Sequence, residues 1–299
     1  MWFRNLQIYR LDPAWQMAPG ALEARLQKHL LNPCSGLNLE TRGWVPPLPE
    51  AGLVFGAERQ MLVAFGQEKK LLPASVVKQA VEEQASALEA RQGFKPGRKQ
   101  LRDLKDRVTA ELLPRAFARR SLTRAWIDPD QGWLLVDAAS PARAEELLKG
   151  LRDALDEFPA HPLEAASSAQ GAMTQWLTGG HAPGRFEIDH EAELVGTGEE
   201  QATVRYLRHA LNGPDVRRHL DAGKRVTRLG LIWNEQLSLL LAEPLQIKRL
   251  KFLDLDKTRE EAESDVGADR EADFLMMSAT YQRLLADLLQ ALGGEAAGR

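Results

Sequence analysis

The chain has 299 residues, 44% of them hydrophobic and 27% charged, with a formal net charge of -3. That is ordinary for a folded soluble protein of two or three domains. No apolar run approaches the roughly 18 residues of a membrane span, and the N-terminus lacks a basic start followed by a sustained apolar stretch, so a cytoplasmic location is expected. The single cysteine, Cys34, leaves no internal disulfide and reads as a small core residue.

In chain order, alternation predicts a strand over residues 3–10, then a helix over 21–31 that stops before Asn32-Pro33. Gly43-Trp-Val-Pro-Pro-Leu-Pro reads as a rigid, proline-fixed connection. Residues 53–55 and 60–65 form an expected hairpin around Gly56-Ala-Glu-Arg. Pro73 precedes a helical Ala/Glu/Gln/Val stretch reaching about residue 91. Gly93-Phe-Lys-Pro-Gly97 turns the chain, and a second helix over 98–113 ends at Pro114. This helical hairpin, residues 74–119, is expected to be an inserted subdomain.

Strands at 122–127 and 133–136 flank the turn Asp128-Pro-Asp-Gln-Gly132. Ser140 as N-cap and Pro141 at the first position open a helix to about residue 155. Residues 159–184, rich in Pro, Ala, Ser and Gly, hold a domain boundary and a short helix near 174–177. Strands follow at 187–195, 203–207, 225–233, 237–241 and 247–253, with a short helix from Gly213-Pro-Asp to about residue 220. Phe274, Met277, Tyr281, Leu284, Leu288 and Leu292 recur at helical spacing up to Gly293-Gly294, which marks a packing face. The fold class is α+β: antiparallel hairpin-based sheets with segregated helices and the inserted helical hairpin.

Motifs for catalysis are largely missing. Gly223-Lys224 is followed by Arg225, with Arg218 where a phosphate loop needs its first glycine, and no G-x-G-x-x-G opens a helix. There is no C-x-x-C pair, no H-E-x-x-H among the six histidines and no G-x-S-x-G elbow. Two acidic groups are candidates for a nuclease metal: Asp189, Glu191 and Glu193 with His190, and Asp254 with Asp256. Two-metal hydrolysis needs several carboxylates converging on one point. Both groups lie among other acids, so a solvated edge or loop is the favoured reading, and no cofactor or metal is expected.

The charge is distributed very unevenly. Residues 91–124 hold eleven cations against Asp103, Asp106 and Glu111, and residues 205–251 hold ten against four acids. Residues 254–273 hold nine acids and three bases. Such asymmetry concentrates positive potential on part of the surface. Arg98, Arg102 and Lys105 follow i, i+4, i+7 spacing and share one helix face, with Lys99 beside them and Leu101, Leu104, Val108 and Leu112 as a separate stripe. Arg115, Arg119, Arg120 and Arg124 continue the path past Pro114 with no acid in sequence between them. In the second block Arg205, Arg208 and Arg225 add charge. Lys224, Val226 and Arg228 are expected on one strand face, and Arg249 and Lys251 on another, near Lys248. Separated cationic rows suit phosphate contacts, which need charge and reach but no base code. No helix-turn-helix, zinc finger or RNP aromatic motif is present to read sequence. Phe117, inside the first block, is either a local core plug or an exposed anchor at a subunit contact.

Taken together, an ordered series of segments resembles the family of the bacterial recombination-associated protein RdgC. They are Met1-Trp-Phe-Arg-Asn-Leu-Gln-Ile-Tyr-Arg-Leu, Gly43-Trp-Val-Pro-Pro, Lys70-Leu-Leu-Pro, and Leu112-Leu-Pro-Arg-Ala-Phe-Ala-Arg119. Ala125-Trp-Ile-Asp, Ala222-Gly-Lys, Ile247-Lys-Arg-Leu-Lys-Phe and Ala291-Leu-Gly-Gly-Glu complete it, so the resemblance spans essentially the whole chain. It implies a ring-shaped homodimer whose positively lined hole accommodates duplex DNA without sequence preference, with single-stranded DNA as a further candidate partner, and which hinders RecA-promoted strand exchange, with no catalytic activity. It also implies a nucleoid-associated location. Residues 1–73 plus 120–165 would then form a central α+β domain, 74–119 a gate-like helical subdomain and 166–299 a C-terminal base domain. Phe117 matches a family position at a dimer contact. The alternatives are a metal-dependent nuclease and a RecA-binding scaffold with incidental DNA contact.

Overall fold

The computed structural model describes residues 2–198, 201–253 and 270–296. Its first strand, β1 (Leu6–Leu11), is buried along nearly all its length because it lies in mid-sheet. In chain order the other strands are β2 (Glu40–Val45), β3 (Val54–Ala57), β4 (Gln60–Lys70), β5 (Ala118–Asp128), β6 (Trp133–Asp137) and β7 (Ala160–Pro162). The C-terminal half adds β8 (Phe186–Val195), β9 (Thr203–Leu207), β10 (Arg225–Trp233), β11 (Leu237–Ala242) and β12 (Gln246–Phe252). They form one twelve-stranded sheet in the order β2-β4-β5-β6-β1-β12-β11-β10-β8-β9, with β3 also on β4 and β7 on β1. All the ladders between these strands are antiparallel. The two halves meet where Leu6 and Gln7 pair with Ile247 and Gln246.

Seven α-helices lie among the described residues: α1 (Pro19–Leu26), α2 (Ala74–Gln92), α3 (Arg98–Leu112), α4 (Pro141–Leu155), α5 (Ala169–Gly179), α6 (Pro214–Asp221) and α7 (Arg270–Ala291). The α+β class is as the sequence predicts. On one face of the N-terminal half, Leu147, Leu148 and Leu151 of α4 and Leu22 and Leu26 of α1 bury Val63, Ala125, Ile127, Leu134 and Val136. On the other face Phe274, Met277, Tyr281, Leu284, Leu288 and Leu292 are at most 1% exposed, so the predicted α7 stripe is a packing face. There Trp126 donates its indole N–H to Ser278 (2.9 Å), and the Tyr281 hydroxyl accepts from the backbone N–H of Phe3 (2.8 Å).

That second core continues under the C-terminal strands through Leu194, Leu229, Leu231, Leu239, Leu241 and Ile247, with α5 and α7 over them. The first core does not follow, since none of its residues comes from β8 to β12. Antiparallel sheets tolerate one solvated face, and the face left uncovered among the described residues carries much of the second cationic block.

Several local expectations change. The proline-fixed connection begins as β2, because Gly43 lets the backbone at Leu30 and Leu31 lie against the sheet edge: a Cβ there would meet the Leu31 nitrogen at 2.4 Å, and Leu31 N–H donates to the Trp44 carbonyl. The helix over 21–31 is shorter, as α1 gives way to a 3₁₀ turn at Gln27–His29. Ser140 does open α4, but its carbonyl, not its side chain, takes the first amides. The short helix near 174–177 is α5, capped by the Ser168 hydroxyl accepting from Gly171 N–H (3.1 Å). Cys34 is only half-buried, with its thiol on the Glu68 carbonyl (2.9 Å).

Candidate nucleic-acid interface

The first cationic block stands on a hairpin of two helices. Gly93 takes the left-handed conformation that closes α2 (φ 78°), a geometry that glycine adopts without a Cβ penalty. The Gly97 N–H is then held by the Gln100 side chain (2.9 Å) at the start of α3. Only Val77 of α2 and Leu104 and Val108 of α3 are buried in this pair. The predicted four-residue stripe is therefore half as long, with Leu101 exposed and Leu112 half-buried, because α2 covers only a narrow face. Arg98, Lys99, Arg102 and Lys105 all reach solvent.

Past the hairpin, Arg115 and Arg119 are exposed, but two neighbours are engaged. Arg120 meets Glu68 across the β4–β5 ladder at 3.1 Å. The same carboxylate accepts from the Cys34 backbone N–H; that bond, with the Arg120 guanidinium, holds its pKa below the usual range against partial desolvation. Arg124 is half-buried and donates to the Pro47 carbonyl (3.0 Å). Phe117 is 85% exposed, which removes the core-plug reading. Its carbonyl is fixed by Leu71 N–H (2.7 Å), so the ring projects from an anchored backbone.

The second block lies on the C-terminal sheet, where bulges rearrange the predicted faces. Val226 pairs with Leu194 and Arg228 with Glu193, so the ladder skips a residue between them. Val226 is fully buried while Arg228 reaches Glu193 at 3.4 Å, and Lys224 precedes the strand. These three do not share a face. A second irregularity at Arg249, which has φ 52°, puts an extra residue into β12. Lys248 pairs with Leu240 and Lys251 with Ser238, so Arg249 is the residue out of step and the expected Arg249–Lys251 row is broken. On β8, Asp189, His190 and Glu191 together oppose Gly230, whose Cβ would stand 3.2 Å from the Glu191 carbonyl.

These distortions, with the regular β8–β9 pairing of Arg205 opposite Glu193, leave Arg205, Arg228 and Arg249 around two acids. Arg205 contacts Glu193 at 2.5 Å, and Arg249 pairs with Glu191. Lys224 donates to the Ala202 carbonyl (2.6 Å). Arg208, Arg225 and Lys251 are exposed and Lys248 half-buried. Of the carboxylates considered for a metal, Glu191 and Glu193 are thus occupied by guanidinium groups, while Asp189 holds the backbone N–H and ring of its neighbour His190; among the described residues no group of three or more His, Cys, Asp or Glu could hold a metal ion. Asp254 and Asp256 lie outside the described residues. One residue that the sequence reading used only as part of a turn stands out: Phe94, at the hairpin tip, is 62% exposed amid cations.

Comparison with known proteins agrees with the resemblance in the sequence. Residues 1–295 match the family model described as "Putative exonuclease, RdgC". The chain is 46% identical over 298 residues to the recombination-associated protein RdgC of Herminiimonas arsenicoxydans. It is 47% identical over 298 residues to the proteins of the same name from Janthinobacterium sp. (strain Marseille) and Cupriavidus pinatubonensis. Each of these alignments covers 99% of both chains. The match is end to end and well above the level at which homology is in doubt: the chain belongs to the RdgC family of recombination-associated proteins.

Proposed function

We propose that the chain binds duplex DNA without sequence preference, as a ring-shaped homodimer that limits RecA-promoted strand exchange by occupying the duplex. The observation that carries this reading is the set Arg98, Lys99, Arg102 and Lys105, all solvent-facing and without an ion pair among the described residues. Cations without an ion-paired acid on an exposed helix face are available to phosphates, whose counterions they displace. Arg115, Arg119 and Arg120 extend the row, and Arg124 supports it from the sheet. Arg205, Arg225, Arg228, Lys248, Arg249 and Lys251, with Lys224 just before β10 and Arg208 just after β9, supply a second lining on and beside the sheet face that, among the described residues, no helix of the first core covers. In this reading residues 74–119 act as the gate, 166–299 as the base, and 1–73 with 120–165 as the centre. Phe117 closes one subunit contact, where an exposed aromatic ring is a fitting anchor. The protein works in the cytoplasm on the nucleoid.

Gel shifts with unrelated duplexes of equal length test the reading. Equal affinity across sequences, falling about 10³-fold or more between about 50 and 200 mM salt, supports it. No binding at the lower salt overturns it and brings forward a RecA-binding scaffold. The family description favours a second reading, exonuclease activity. We set it behind the first because Glu191 and Glu193 are engaged by arginines. Magnesium-dependent shortening of the bound duplex would reverse that order.

A further inference from the structure

The tip of the helical hairpin combines an aromatic ring with an uninterrupted run of cations. Between Glu89 and Asp103 the chain holds Arg91, Lys95, Arg98, Lys99 and Arg102 and no acid. All five cations are exposed, and none makes an ion pair or side-chain hydrogen bond among the described residues. In their midst the Phe94 ring is 62% exposed. It does not serve the hairpin's own core, whose buried residues are Val77, Leu104 and Val108. Nor is it near the sheet: α3, with 15 residues, separates the tip from the start of β5 by about 22 Å of helix.

The backbone around the ring is nevertheless tied down. Gln92 donates its amide to the Phe94 carbonyl (2.8 Å), Gln100 donates to the Gln92 side chain (3.2 Å), and Gly97 N–H is held by Gln100. A ring held in water on a braced turn is already ordered for a partner, which lowers the entropic cost of docking. Five free cations around it select a polyanion. An aromatic face within a cationic surface is the chemistry that holds an unpaired nucleobase, with the base stacked on the ring and its flanking phosphates on the cations. An intact duplex has its bases stacked inside and gives the ring nothing to hold.

We propose that Phe94 is a stacking platform for an unpaired base, so that the hairpin tip favours DNA with a locally opened stretch over fully paired duplex. This rests on the DNA-binding reading above. The duplex engages the cationic rows, and the tip adds selectivity for openings such as a fork or a bubble.

The test compares wild type, Phe94→Ala and Phe94→Trp on two DNAs of equal length, one fully paired and one with a central mismatched bubble containing 2-aminopurine. Wild type is expected to prefer the bubble. Phe94→Ala should lose about fivefold or more of the affinity for the bubble, as removal of one base–aromatic stack predicts, and stay within about twofold on paired duplex. Phe94→Trp should keep the preference. The 2-aminopurine emission should be quenched on binding wild type and not on binding the alanine variant.

Equal losses on both DNAs, or no loss on either, overturn the stacking role while leaving the DNA-binding reading intact. Absence of any binding by wild type overturns both. A shift of Phe94→Ala to a smaller species in sedimentation assigns the ring to a contact between copies of the chain and also overturns the proposal.

Discussion

Asp137 shows how much the environment of one side chain decides. It ends β6, and its carboxylate accepts from the backbone N–H groups of Arg4 (3.1 Å) and Asn5 (3.0 Å). Burial nevertheless pushes its pKa above the usual carboxylate value, overcoming those bonds and the pull of Arg124. A carboxyl whose folded pKa lies above its unfolded one binds its proton more tightly when folded. Its relative contribution is most favourable in acid and is lost as pH rises through the folded pKa. Asp137→Asn keeps an oxygen for both N–H groups and removes the buried charge. The variant should therefore gain on wild type as pH rises from about 4 towards neutral, read as the difference in urea midpoint at each pH. A constant difference, or one that moves the other way, refutes the assignment. At this scale the sequence is informative about kinds of side chain and poor about partners. The α7 stripe is legible from spacing alone, but the hydroxyl of Tyr281 meets Phe3 across 278 positions. Likewise Arg120 looks acid-free in sequence, and Glu68 reaches it only through the pairing of β4 with β5.

Elements were readable where one physical cause acts within a short window. The periodicity of α7 and the stops of α3 at Pro114 and of α2 at Gly93 are local, and they stand close to where the sequence puts them. Elements set by pairing with distant chain were not. β2 exists because β4 offers it a ladder from Lys69 to Ala64, and the prolines that follow hide it. β5 runs back to Ala118 because β4 continues to Lys70. Lys70 is the most telling case, because nothing local in the sequence marks its clasp. Nearly buried at 6% exposure, its ammonium binds the carbonyls of Gly36 (3.0 Å) and Leu113 (2.9 Å) and so fastens the base of the hairpin to the sheet. Away from that clasp the hairpin has little holding it, since Val77, Leu104 and Val108 are its only buried residues in α2 and α3. Elements with so few buried apolar groups open at lower free energy than a double-sided sheet. Amide hydrogen exchange should therefore show α2 and α3 exchanging at least about tenfold faster than β5 and β6 after correction for intrinsic rates, with protection recovering towards Leu113. Uniform protection across the four elements would mean that the hairpin opens only with the whole molecule.

For the whole molecule, a formal charge of -3 conceals two cationic blocks whose free charge differs. The bulges in β8, β10 and β12 accompany the pairing of Arg228 with Glu193 and of Arg249 with Glu191, and the regular β8–β9 ladder sets Arg205 directly opposite Glu193. Those guanidinium groups must leave, or share, an acid before they serve a phosphate. Arg98, Arg102 and Lys105 face no such competition among the described residues. The block totals in the sequence treat both sets alike, because the bulges that separate them arise from cross-strand register and not from local spacing. The consequence is measurable in the dependence of log affinity on log salt, whose slope on duplex DNA is about -0.9 for each phosphate neutralised. Replacing Arg98, Arg102 and Lys105 together by alanine should make that slope shallower by roughly 2 to 3. The corresponding replacement of Arg205, Arg228 and Arg249 removes charge already partly balanced by its neighbours and should change the slope by about 1 or less. Affinity in that second variant should still fall, because Glu191 and Glu193 would then face the phosphates unneutralised. If the second set carried the larger change in slope, the duplex would have to lie on the open sheet face with its arginines released from their acids, and the hairpin would be a bystander to duplex binding.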